Sequence, residues 1–170
     1  MLNRRHLRIK VLQSLYAFYQ SKDGNYSKSE KELLTAIERI YDLYLYLMLS
    51  FNEVQGIAMH RIEENKKKIR PKEEDLNPNL KLVDNKIIAI LENSKELRVQ
   101  AENRKVNWVG DEHQEMFRKM FLEMRDSETY YEFMNNDVQG FEEDRAFSIA
   151  LFKSEIANSP LLYSFFEDKS

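Results

Sequence analysis

Apolar residues recur with a helical period along most of this chain. Leu7, Val11, Leu15 and Phe18 follow one another at spacings of four and three, and Leu12, Tyr16 and Tyr19 widen the stripe. That pattern predicts a first helix over Arg4 to Gln20, capped by Asn3, with a wide buried face. His6, Lys10, Gln13 and Ala17 take the opposite side. Asp23-Gly24-Asn25 reads as a turn, and Ser27 with Glu30 has the form of a capping box. The helical period then holds to about Asn65. Between Ile40 and Leu49 nearly every side is apolar, which predicts a central place in the core for that stretch.

Glu63 to Leu82 is polar and contains Pro71, Asn77 and Pro78, the pattern of a linker or long loop. Helix resumes near Leu82 with Ile87, Ile88, Leu91 and Leu97 as apolar positions, and Asn107-Trp108-Val109-Gly110 breaks it. Asp111 starts a further helix bearing Met116, Phe117, Met120, Phe121 and Met124, with its pattern extending through Tyr130, Tyr131 and Phe133. A turn over Asn135 to Gly140 precedes a helix from Glu142 to Ala157. Ser159 and Pro160 fit the cap and first position of a short last helix. No alternating apolar and polar run stands between turn signals, so the expected fold is all-α. The expected division is residues 1–65 as N-terminal helices, 66–82 as a basic linker and 83–170 as a second helical part.

Composition supports the helical reading. Among 170 residues there are four glycines and three prolines, too few for the turns of a β-protein. There is no cysteine, which excludes disulfides, thiolate zinc sites and cysteine nucleophiles and fits a cytoplasmic location. Ile40 to Leu49 is too short to span a bilayer and contains Asp42, so no membrane partner is expected. The formal net charge is -3, but its distribution matters more. Residues 1–22 hold Arg4, Arg5, Arg8, Lys10 and Lys22 and no acid, a local +5 that leaves -8 for the remainder. Such asymmetry points to a polyanionic partner, because the local field steers a ligand more than the net charge does.

Arginine's planar fork binds phosphate bidentately and its face stacks on bases, so an arginine-rich helix entry suits RNA. Tyr16 and Tyr19 on the same element offer stacking surfaces. A second reading stands beside it: a solvated basic first turn, with the aromatics in the core. Arg8 falls within the arc of Leu12, Leu15 and Tyr19, the place of a partly buried arginine paired to a carboxylate. The lysines at 66, 67, 68 and 72 with Arg70 extend an RNA track or form a solvated loop, and their mixture with glutamate favours the loop. The Met116 to Met124 stripe has the spacing of core packing, with a partner groove as the alternative. His60 with Glu64, and His113 beside Asp111, Glu112 and Glu115, match no metal or protease motif. No catalytic residue, metal site or cofactor is expected.

Arg4-Arg5-His6-Leu7-Arg8 followed by Val11-Leu12-Gln13-Ser14-Leu15-Tyr16 resembles the opening of NusB-type transcription antitermination proteins. The likeness is tight over about the first twenty residues. The remaining chain is similar to longer NusB-like proteins of Bacteroidetes-type bacteria, which carry an insertion between two helical parts. The resemblance implies an antiparallel helical bundle with an inserted helical region. It implies an RNA-binding, non-enzymatic factor that acts on boxA-type RNA of ribosomal RNA operons. The implied partners are a small-subunit ribosomal protein (NusE) and the RNA polymerase elongation complex. The implied RNA-binding residues are Arg4, Arg5, His6, Arg8, Lys10, Gln13 and Tyr16. His6 stands where a third arginine is frequent, and imidazole is the weaker cation at neutral pH. The family's C-terminal aspartate and its phenylalanine–valine–asparagine–glycine segment have no counterpart here, so the chain is expected to be an N-terminal part of a longer protein. Apolar surface left open by missing helices would favour a homo-oligomer. Two other readings stay open: the RNA-binding module of a ribosomal RNA methyltransferase, and a helical protein-interaction scaffold.

Overall fold

The computed structural model describes residues 4–22 and 24–168, and those residues form an all-α fold. Two compact units divide the chain, one ending at Leu45 and the other beginning at Tyr46. The boundary falls inside a helix, twenty residues before the composition break at 65–66.

The first unit contains α1 (Arg4–Gln20) and the first half of α2 (Tyr26–Lys66). The extent of α1 agrees with the periodicity, while the expected cap at Asn3 lies outside the described residues. The turn into α2 uses Gly24 at φ 51°, a left-handed conformation that glycine adopts without a Cβ clash. Asn25, not Ser27, caps α2. Its Oδ1 accepts the Lys28 N–H at 3.1 Å and its carbonyl accepts the Ser29 N–H at 3.2 Å. An asparagine one residue past the glycine reaches the free amides first, which starts the helix two residues earlier than the capping box would.

The second unit holds the core. It is built from the second half of α2 and from α3 (Glu73–Leu76), α4 (Lys86–Glu92), α5 (Lys95–Arg104), α6 (Asp111–Arg125), α7 (Glu128–Asn135), α8 (Phe141–Leu151) and α9 (Pro160–Asp168). Phe51, Val54 and Ala58 of α2 meet Phe117, Met120, Phe121 and Met124 of α6 in one apolar cluster. The Met and aromatic stripe of α6 is therefore core. Ile40 to Leu49 is not the core's centre: of these residues only Leu45 is buried, and Tyr41, Leu43 and Tyr44 are exposed. All-round apolarity buries a helix only where neighbours stand on every side.

Short polar side chains interrupt the period in two places. Ser94 Oγ accepts the Leu97 N–H at 3.2 Å and starts α5, so the helix expected from Leu82 is two helices. Ser127 Oγ accepts the Tyr130 N–H at 3.3 Å and separates α7 from α6. Asn85, fully buried, caps α4 through Ile87 and Ile88 at 2.9 and 3.2 Å. Asp144 of α8 accepts the Lys86 N–H at 3.0 Å, tying α4 to α8 through a polar knot inside the unit. Trp108 lies among Tyr46, Phe117, Phe165 and Phe166, and its indole N–H donates to the Tyr46 carbonyl at 2.9 Å. α8 runs into a π-helical turn over Phe152–Ile156. The Ser159 hydroxyl does not cap α9. It is buried without a hydrogen-bond partner among the described residues, while the Ser159 carbonyl accepts the Tyr163 N–H at 3.1 Å.

The 66–82 segment is an ordered loop with one short helix. Asp75 organises it by accepting the Lys72 N–H at 2.9 Å and pairing with Lys68 Nζ at 3.1 Å. The backbone N–H of Lys72, then Lys68, holds the Asp75 carboxyl below the usual carboxylate range. Further along, Lys81 Nζ sits 4.5 Å over the Phe133 ring and donates to the Phe133 carbonyl at 2.6 Å.

Candidate nucleic-acid interface

The candidate residues lie on α1, and α1 turns a different side to α2 than its sequence pattern predicts. No residue of α1 is buried. The half-buried line is Leu7, Lys10, Ser14 and Phe18. Ser14, Ala17, Phe18 and Ser21 line a groove of about 220 Å³ against Asn25, Lys28, Ser29 and Glu32 at the start of α2. Phe18 meets the Tyr26 ring edge-on at 6.4 Å. Small side chains thus line most of that groove. The larger apolar residues stay outside, Leu12 at 68%, Tyr16 at 68% and Tyr19 at 82% exposure. Val11 and Leu15, assigned to the core by their spacing, are exposed as well.

That orientation sorts the candidate residues into faces, since helix positions three and four apart are neighbours. Arg4, Arg8, Leu12, Leu15 and Tyr19 form one exposed line, and Arg5, Ile9, Leu12 and Tyr16 form the line beside it. Arg4, Arg5, Arg8 and Tyr16 therefore share one broad face, with about 12 Å along the helix between Arg8 and Tyr16. His6, Lys10 and Gln13 share another: His6 and Gln13 are exposed, whereas Lys10 is half-buried. The seven candidates are not one surface.

Arg8 is exposed, not the buried arginine that its place in the apolar arc suggested. No carboxylate among the described residues pairs with Arg4, Arg5 or Arg8. Three guanidinium groups within two turns, with no internal counter-charge, make a concentrated positive potential that phosphates can neutralise. The cluster at 66–72 behaves differently. Lys66 pairs with Glu63 at 3.2 Å, Lys68 with Asp75 at 3.1 Å and Lys72 with Glu74 at 3.6 Å, so most of its charge is already met by local acids.

Tyr19 is missing from the candidate residues that the resemblance supplied, although it is the most exposed aromatic of α1 and lies on the Arg4 and Arg8 line. The clue in the sequence is Arg8 itself: an arginine in the same arc as Leu12, Leu15 and Tyr19 argues that the arc faces water. Elsewhere, a cleft of about 620 Å³ in the second unit is lined by Leu49, Glu53, Leu97, Arg98 and Trp108, with no α1 residue in its wall. Burial raises the Glu53 carboxyl there, against the opposing hydrogen bond from Gln114.

His60 and Glu64 are exposed and 3.5 Å apart, and His113 Nδ1 lies 2.8 Å from the Val109 carbonyl. Among the described residues, no three His, Asp or Glu side chains could hold a metal ion together. No described helix is long and apolar enough to cross a membrane. No protein-family model, curated protein or solved structure matches the chain.

Proposed function

We propose that this chain is an RNA-binding factor of the NusB type. It acts without catalysis in transcription antitermination, on boxA-type RNA, with a small-subunit ribosomal protein and the elongating polymerase. The observation that carries the RNA reading is the exposed trio Arg4, Arg5 and Arg8 with no pairing carboxylate among the described residues. The resemblance of the opening residues supplies the particular RNA and partners. Arg4, Arg5 and Arg8 bind phosphates, and Tyr16 with Tyr19 stacks on bases exposed in single-stranded RNA. His6, Lys10 and Gln13, on the neighbouring side, make secondary contacts at most.

A salt-titrated binding assay with boxA-like RNA tests this. Each phosphate contact releases condensed counterions, so binding weakens linearly on a log–log plot against salt. The double substitution Arg4→Ala with Arg5→Ala is expected to flatten that slope by about one to two units. Tyr16→Ala is expected to cost about 1–3 kcal/mol without changing the slope. An unchanged slope in the arginine variant removes the phosphate contacts and the reading with them.

A further inference from the structure

The RNA reading makes no use of the cleft of about 620 Å³, which lies wholly within the second unit. Its volume is in the range of small-molecule sites, about 300–1,000 Å³. α2 contributes Leu49 and Glu53, one turn apart on the same face, and α5 contributes Leu97 and Ala101 in the same relation. Leu97, Ala101 and Trp108 are each no more than 9% exposed, so the floor of the cleft is apolar.

Glu53 is a half-buried carboxyl in that setting. Gln114 Nε2 is its hydrogen-bond donor, at a long 3.4 Å, and no lysine or arginine pairs with it among the described residues. A carboxylate drawn out of water without a counter-ion bears a desolvation cost, which a cation placed beside it offsets. The upward shift of its pKa expresses that cost. Asn52, next to it in the lining, keeps its Oδ1 buried with no donor among the described residues, so this wall is short of donors twice. Glu92 and Glu102 add two more carboxylates to the lining, against Arg98 and Lys105. Both of those cations are exposed, and Arg98 already donates to the Glu92 carbonyl at 3.3 Å. Water and salt therefore screen them more than they screen Glu53.

We propose that this cleft binds a small organic cation, with an ammonium or amidinium group paired to Glu53 and an apolar body laid on Leu97, Ala101 and Trp108. A bare metal ion would leave that floor uncovered, and an anion would meet three carboxylates. The site contains no residue of α1, so it stands or falls separately from the RNA reading.

Trp108 is the single tryptophan of the chain, so its fluorescence reports directly on the cleft. The 170-residue chain is titrated with three probes that share one apolar body: phenylbutylamine, phenylbutanol and phenylpentanoate. The amine is expected to change the emission saturably, with a Kd of about 1 mM or tighter. The neutral alcohol should bind about tenfold more weakly, since it lacks the charge-assisted hydrogen bond, and the carboxylate more weakly still. Glu53→Gln keeps the shape of the side chain and removes its charge. In that variant the amine should lose its advantage and bind within about twofold of the alcohol. Arg4→Ala with Arg5→Ala should leave all three affinities unchanged. An amine that gives no saturable change overturns the proposal, and so does an alcohol or a carboxylate that binds as tightly as the amine. A preference for the amine that survives in Glu53→Gln removes Glu53 from the site and overturns it too. Should Glu53→Gln fail to fold, as its melting curve would show, the ranking of the three probes on the unaltered chain still decides.

Discussion

Ser159 shows how a local sequence signal and its physical outcome part company. Ser-Pro before an apolar run is the signature of a capped helix start. Here the hydroxyl is buried with no partner among the described residues, so it bears a desolvation cost without the capping return. Ser159→Ala is therefore expected to leave stability unchanged or raise it by up to about 1–2 kcal/mol, where removal of a working cap would cost about 1 kcal/mol. Urea denaturation of the two proteins decides the sign. Asn25 is the reverse case, a cap hidden by a better-known pattern two residues later. Residue identities made both sites visible in the sequence. What they left open was which of two neighbouring oxygens meets the free amides, a matter of backbone direction at the turn. The arginines of α1 were legible as candidates for the same reason, and their exposure was not, because it depends on which side of the helix finds a neighbour.

At the scale of elements, periodicity located helices well and their ends less well. α1 begins and ends where the apolar spacing says, and the α6 stripe is buried as its spacing requires. The breaks at 93–94 and 126–127 are set by serine caps that a long apolar period overrides when only the pattern is read. The π-helical turn after α8 has no period of its own to betray it. α5 ends in another way the pattern does not announce. Lys105, the residue after its last turn, adopts φ 56°, a left-handed conformation usually given to glycine, while the Val106 N–H reaches back to the Ala101 carbonyl at 2.9 Å. A Cβ in that conformation costs about 1–2 kcal/mol. Lys105→Gly is expected to recover about 0.5–1 kcal/mol, net of the greater freedom of glycine in the unfolded chain, and to raise the melting temperature by a few degrees. A lower melting temperature would mean that the lysine side chain supplies a contact worth more than the strain.

For the whole molecule, the distribution of buried residues sets the order in which parts open. The second unit contains the contiguous core around Phe51, Val54, Phe117 and Met124. In the first unit Leu45 is the one buried residue among those described, and α1 has none. Helices without buried faces open locally at little cost, whereas core helices exchange their amides only when the whole unit unfolds. Hydrogen exchange at low chain concentration is thus expected to find α1 amides protected by at most about 1–2 kcal/mol and insensitive to denaturant. Amides of Val54, Phe117 and Met124 should follow the global unfolding energy, about 5–15 kcal/mol for a domain, and fall with denaturant along its slope. Equal protection of α1 and α6 in the dilute chain would show that α1 draws stability from contacts other than buried side chains. Rising protection confined to α1 as RNA is added is the outcome that follows from the proposed RNA contacts of Arg4, Arg5 and Arg8.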